Sequence, residues 1–242
     1  MREERSNYWG AAFESALDWW QLAGADVCVE DTPRNWLKRP TATPPAASSG
    51  IEVAASGQGA LPATLDLLNA WLMKPDNLPA FGARRVASSG TTAAHVMVLG
   101  DMPDVEDMAS GSLFSGASGR LLQAMLSAIG LDIADVHVAS LAPARPASGR
   151  IPASIENELG RIARHRAALV DPRLVLLLGD ATVRVLAGMS LSDARGREHS
   201  LNHDGGNVSA IATFHPRFLL QQPARKADAW ADLRMVLEIM KP

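Results

Sequence analysis

Four short apolar runs constrain this chain more than any other feature. They are His95–Leu99, Val136–Leu141, Arg173–Leu178 and Ser209–Phe214. Each has the length of a strand, and each is followed or preceded by a stretch with helical spacing. Leu121, Leu122, Met125, Leu126 and Ile129 recur at intervals of three and four across Gly119–Ile129. Ala153–Val170 has a similar pattern. Ala181–Ala187 opens on Asp180, a candidate cap, and Arg217–Met240 reads as a helix broken near Pro223. Strands alternating with helices imply βαβ units and a parallel sheet. Ligands of such sheets gather beyond the carboxyl ends of the strands. Those ends run here into Gly100-Asp101, Ala142-Pro143, Gly179-Asp180 and His215-Pro216.

The N-terminal part is organised differently. Trp9, Phe13, Leu17 and Trp20 fall on one face of an amphipathic helix over Trp9–Ala23, a core or docking stripe within an N-terminal segment, residues 1–38. Residues 39–60 are rich in Pro, Ala, Ser and Gly and read as a flexible linker. The α/β domain then spans residues 61–242, beginning with a helix over Pro62–Met73.

Bulk composition excludes several classes. Of the 242 residues, 47% are apolar and 20% charged, an ordinary globular balance. No apolar run approaches the roughly 18 residues of a membrane helix, and the polar start Met1–Tyr8 has no apolar stretch behind it. A cytoplasmic monomer with no membrane contact is expected. The single cysteine, Cys28, supplies neither an internal disulfide nor a thiolate cluster. Residues 1–139 carry nine basic and sixteen acidic side chains, a net of −7, whereas residues 140–242 carry fourteen and ten, a net of +4. The basic half is the candidate phosphate-binding face.

Chemistry concentrates after the strands. GDMPDVED, Gly100–Asp107, reads as a tight turn with four acids; GSLFSG, Gly111–Gly116, reads as a loop carrying Phe114. Ser118 and Gly119 open a helix whose first amides are free to bind an anion. FHPRFLL, Phe214–Leu220, follows the last strand. His199 and His203, four apart beside Gly205 and Gly206, read as a solvated polar loop rather than a metal site, and no metal is expected. No G-x-S-x-G elbow or P-loop is present, which leaves little for an unrelated hydrolase built on the acids and His215.

Together these segments resemble the uracil-DNA glycosylase superfamily, most closely its iron–sulfur family 4. Gly100–Leu122 resembles the first motif, roughly GEAPGxxED followed by GRPFVGxAGxLL. HPRFLLQQPARKADAWADL resembles the second, HPxYLLRxPxxKxxxWxDL. Between them ASLAPARP resembles TNxxKCRP, and ALVDPRLVLLLGDATVRVL the strand and helix after it. The match covers roughly residues 92–241. It implies a three-layer α/β/α fold with a short four-stranded parallel sheet, and hydrolysis of the N-glycosidic bond of uracil, or another deaminated base, flipped out of DNA.

On this resemblance Asp101 and His215 are the catalytic residues. Asp101 holds water and His215 stabilises charge on the departing base. Phe114, Ser140 and Gly100 bind the base. Ser118, Gly119, Arg217, Phe218, Leu219, Leu220, Arg225 and Lys226 contact DNA, with the Phe218–Leu220 stretch as an apolar wedge. Three departures stand out: aspartate for the usual glutamate at Asp101, serine for an asparagine at Ser140, and Asp104 for a glycine. Ala144 and Leu159 stand where two cluster cysteines are expected, so the cluster is expected to be absent and no cofactor is expected. A second reading follows from these departures: a catalytically impaired module that binds DNA, or a repair partner through its N-terminal Trp helix.

Overall fold

The fold is described from a computed structural model covering residues 60–241. The amphipathic Trp helix, the linker up to residue 59, and Cys28 lie outside the described residues. Among the described residues no helix is long and apolar enough to cross a membrane.

The elements are helix α1 (Leu65–Leu72), strand β1 (Val96–Gly100), α2 (Val105–Ser110), α3 (Ala117–Ser127), β2 (His137–Ser140), α4 (Glu156–Val170), β3 (Leu174–Leu178), α5 (Asp180–Ala187), α6 (Leu191–Ala194), β4 (Glu198–His203), β5 (Gly206–Thr213), α7 (Pro216–Gln221) and α8 (Lys226–Met240). The strands form one sheet in the order β2-β1-β3-β5-β4. β1, β2, β3 and β5 run parallel, while β4 pairs antiparallel with β5.

The sheet therefore has five strands and is mixed, which corrects the expected all-parallel four. The extra strand is Glu-His-Ser-Leu-Asn-His, the segment read as a polar loop around His199 and His203. It is an edge strand, with only Leu201 buried, so it lacks the apolar run that marks the others. Asp204 and Gly205 form the two-residue turn of a hairpin whose last pair is His203 with Gly206.

Two further expectations shift. GDMPDVED is a turn only as far as Asp104; α2 follows, its first turn closed by the Asp104 N–H donating to Asp107 Oδ2 at 2.9 Å. Asp180 lies inside α5 rather than capping it, because Gly179 takes the cap position. The break near Pro223 is present: α7 stops at Gln221 and a 3₁₀ turn, Pro223–Arg225, leads into α8.

Alternation along each strand sorts the core into two layers. Met97, Leu99, Val175 and Leu177 face α4, α5 and α1, whereas Val96, Val98, Leu174 and Leu176 face α3, α7 and α8. Helices on both faces make the expected three-layer arrangement. Each Leu or Val buried this fully contributes about 1.5–3 kcal/mol relative to exposure, so β3, apolar at all five positions, is fixed by packing from both sides.

α1 is tied to the sheet by buried cations. Arg166 of α4 donates to Asn69 Oδ1 at 2.9 Å and to the Ser88 hydroxyl. Arg85 donates to five backbone carbonyls: Leu72 (2.7 Å), Pro75 (3.0 Å), Leu78 (2.7 Å), Phe81 (3.4 Å) and Gly82 (3.2 Å). The Leu72 carbonyl belongs to the last turn of α1 and has no helical partner, so Arg85 closes the end of that helix and organises the turn beyond it.

Candidate active site at the carboxyl end of the sheet

β1 delivers Gly100 and Asp101 to the top of the sheet. The Leu141 N–H donates to the Gly100 carbonyl at 2.9 Å and the Ala142 N–H to that of Asp101 at 3.0 Å, which fixes the chain after β2 against the chain after β1. Asp107 then folds the next loop back: its Oδ1 accepts from the Ser115 N–H (2.7 Å) and hydroxyl (3.0 Å). That loop presents Phe114 in a left-handed backbone conformation, φ +53°, uncommon for a bulky residue and found mostly where surroundings over-determine it. The carbonyl of Phe114 lies against α3, where a Cβ on Gly119 would stand 1.5 Å from it. Only glycine lets the loop rest there.

From the other side, the chain after β5 supplies His215. Its ring is buried and stacks on Phe114 with centroids 5.6 Å apart and planes 21° from parallel. Gly100 lies beneath both rings: a Cβ there would meet Phe114 Cζ at 3.2 Å and His215 Nε2 at 3.5 Å. His215 Nδ1 accepts from the Arg217 N–H at 3.2 Å, capping α7. Burial, then the positive charge of Arg217, push its pKa down to about 4 against the pull of Asp101, Asp104 and Asp107. The ring is therefore neutral at pH 7. Because Nδ1 is an acceptor, the proton sits on Nε2. Nε2–H is a fixed neutral donor 3.7 Å from Asp101 Oδ1.

Arg217 binds the acids together. Its Nη2 reaches both Asp101 oxygens at 2.5 Å and its Nη1 bonds Asp104. Ser118 Oγ donates to Asp104 Oδ2 at 2.6 Å. Burial alone would raise the Asp104 pKa; the Ser118 hydroxyl and the Arg217 guanidinium outweigh it and hold the carboxyl below its ordinary range. Asp101 Oδ1 accepts a further bond from the Met102 N–H at 2.7 Å. Of the roughly four acceptor sites of a carboxylate, Asp101 keeps one free, on Oδ2.

A cavity of about 620 Å³ opens beside this cluster, lined by Asp101, His215 and Arg217 on one side and by Arg150, Asp180 and Arg184 on the other. Phe214 and Phe218 line it as well. They stack at 5.1 Å, and Arg195, paired with the buried Asp232 at 2.7 Å, sits 4.1 Å over the Phe214 ring.

With this geometry established, comparison with known proteins identifies the family. The model of the uracil DNA glycosylase superfamily matches residues 87–234. The chain belongs to the uracil-DNA glycosylase superfamily. It is 26% identical over 161 residues to the type-4 uracil-DNA glycosylase of Archaeoglobus fulgidus, covering 64% of this chain and 81% of that protein. It is 28% identical over 158 residues to that of Pyrobaculum aerophilum, covering 62% and 80%, and 26% identical over 155 residues to that of Thermotoga maritima, covering 63% and 78%.

Within this superfamily member, the expected site residues separate into three groups. Gly100, Asp101, Phe114, His215 and Arg217 are brought together. Ser140 pairs with Gly100 in the sheet, but its hydroxyl donates to the Ala142 carbonyl at 2.7 Å and it does not line the large cavity; nor does Phe114. Among the expected DNA contacts, Ser118, Gly119 and Leu219 are buried. Leu219 turns into the core because successive helical positions point apart, leaving Phe218 and Leu220 outside. Arg225 and Lys226 are exposed, Arg225 paired with Asp228 at 3.1 Å.

Sequence reasoning missed the Arg217–Asp101–Asp104–Ser118 cluster, which joins residues more than a hundred positions apart. The signal was present in Asp104, singled out only as a charge replacing glycine: a buried acid implies a cation nearby.

Proposed function

We propose that this chain hydrolyses the N-glycosidic bond of uracil, or of another deaminated base, turned out of DNA. One observation carries the reading: a buried, neutral His215 with its Nε2–H beside Asp101. Cleavage leaves negative charge on the base, and a fixed donor in a water-poor site stabilises it. The free site on Asp101 Oδ2 accepts from the attacking water. Ser140, its proton committed to Ala142, offers the base only an acceptor. Stacking of Phe114 on a base requires its ring to part from His215, since 5.6 Å between centroids leaves no thickness for a third ring. Exposed Phe218, Leu220, Arg225 and Lys226 form the rim toward DNA.

The reaction requires no iron–sulfur cluster. Ala144 and Leu159, where the resemblance expects cysteines, are buried in one apolar core with Leu72, Leu78 and Phe81. Neither offers a thiolate, so these residues do not fit the group, and we propose that packing replaces it.

A second reading rests on the Arg217 clamp. Both Asp101 oxygens accept from one guanidinium, which leaves a single acceptor site for water and favours a module that binds DNA without turnover. Excision of uracil, hypoxanthine and xanthine from oligonucleotides separates the two. The enzyme releases base, His215→Ala loses about 10²–10³-fold of the rate, and the rate stays level from pH 8 to pH 5 before falling near pH 4, where a proton on Nδ1 costs His215 the Arg217 N–H that fixes its ring. Binding with no release of any base by the wild-type protein selects the second reading.

A further inference from the structure

Three arginines, Arg150, Arg184 and Arg217, line the large cavity, and the guanidiniums of two are spent. Arg217 is divided between Asp101 and Asp104, and Arg184 between Asp180 and Glu156 at 2.7 and 2.8 Å. Arg150 differs. No hydrogen bond or ion pair holds its guanidinium among the described residues, although Arg150 lines the same cavity as Asp101 and His215.

The backbone beneath it is built rather than loose. Ile151 is buried in the core beside Ala144 and Leu159. The Gly149 N–H donates to the Pro146 carbonyl at 2.9 Å. Ser148 Oγ donates to the Arg150 carbonyl at 3.1 Å and accepts the Arg150 N–H at 3.4 Å. An anchored turn thus presents one uncommitted cation to a cavity several times larger than a pyrimidine ring needs. The space left over suits the sugar and phosphate attached to a base. A planar guanidinium is the side chain that recognises a phosphodiester best.

We propose that Arg150 is the phosphodiester contact of this cavity, binding a backbone phosphate next to the nucleotide whose base faces His215. The inference rests on the DNA reading above and adds to it. The exposed Arg225 and Lys226 act only at the rim.

The test is binding, which needs no turnover. Wild-type protein and the variants Arg150→Ala and Arg150→Lys are titrated by fluorescence anisotropy with single-stranded oligonucleotides carrying one tetrahydrofuran abasic site. Matched oligonucleotides have a single flanking phosphate replaced by neutral methylphosphonate. The expected result is that one replacement weakens wild-type binding about 5–10-fold, that Arg150→Ala loses the same factor on the unmodified strand, and that the two losses do not add. The log–log salt slope of Arg150→Ala falls by about 0.7, and Arg150→Lys recovers part of the affinity. Arg150→Ala binding like wild type, or remaining sensitive to every methylphosphonate, overturns the inference and leaves the DNA reading intact. Wild-type protein that binds none of the strands at low salt overturns both.

Discussion

Arg85 and Arg217 are both cations drawn into the fold, one at the end of α1 and one at the top of the sheet, and they are satisfied in opposite ways. Arg85 meets carbonyls alone, five of them. Burial lowers its pKa, only partly opposed by Asp76. Arg217 meets two carboxylates; burial works against its charge too, but Asp101 and Asp104 more than compensate and its pKa rises. Carbonyl dipoles belong to the backbone, so Arg85 is bonded to a conformation and keeps residues 72–82 in one shape. Carboxylates are side chains with charge of their own, so Arg217 is bonded to a state of ionisation. The first arrangement suits a region that only has to hold, and it holds Leu72, Leu78 and Phe81 against Ala144 and Leu159. The second suits a region beside a cavity, where protons and ligands come and go.

That contrast fixes an order of effects. Arg85→Met leaves buried carbonyls without donors, each costing about 1–3 kcal/mol when unsatisfied. Allowing for partial relaxation, about 4 kcal/mol of stability is lost in urea unfolding; a loss under 1 kcal/mol means water can replace the guanidinium, and the distinction collapses. Arg217→Ala costs less, about 2 kcal/mol at pH 7, because its side chain is partly exposed and one freed acid can hydrate. Its cost also depends on pH. The folded-state pKa of Asp104 is lowered, so the stability its charge contributes is present above the ordinary carboxylate range and lost as pH falls through the lowered value. Unfolding curves of wild type and Arg217→Ala therefore converge in acid, whereas those of wild type and Arg85→Met stay apart. Ser118→Ala removes one hydrogen bond to Asp104 and costs about 1 kcal/mol, read from the same urea curves. An Arg217→Ala gap that ignores pH would break the comparison.

What the sequence made legible follows the same division. Apolar runs reveal strands that are buried on both faces, so β1, β2, β3 and β5 were readable. The resemblance puts Phe114 and His215 at one base, and the two do come together, but stacked at 5.6 Å with no hollow for a pyrimidine between them. β4 was not readable, since an edge strand with one buried residue carries no such run; the Asp204-Gly205 turn was the available clue. α2 escaped because six residues are too few for a period to emerge. The Arg217 cluster and the Arg85 carbonyl cage were beyond reach for a different reason. Each depends on where a long side chain ends, and composition or spacing constrains the start of a side chain far better than its tip. Leu219 shows the reverse: its burial follows from helical phase alone once α7 is known to begin at Pro216.

β4 has one more consequence. A sheet grows by offering unpaired backbone groups to a neighbouring chain. Here one border is finished by a strand of glutamate, histidine, serine and asparagine, and the other is met by Ser89, whose N–H and carbonyl both bond Val138 of β2, at 2.9 and 2.8 Å. The template on which fibrils are laid is thereby interrupted at both ends of the sheet.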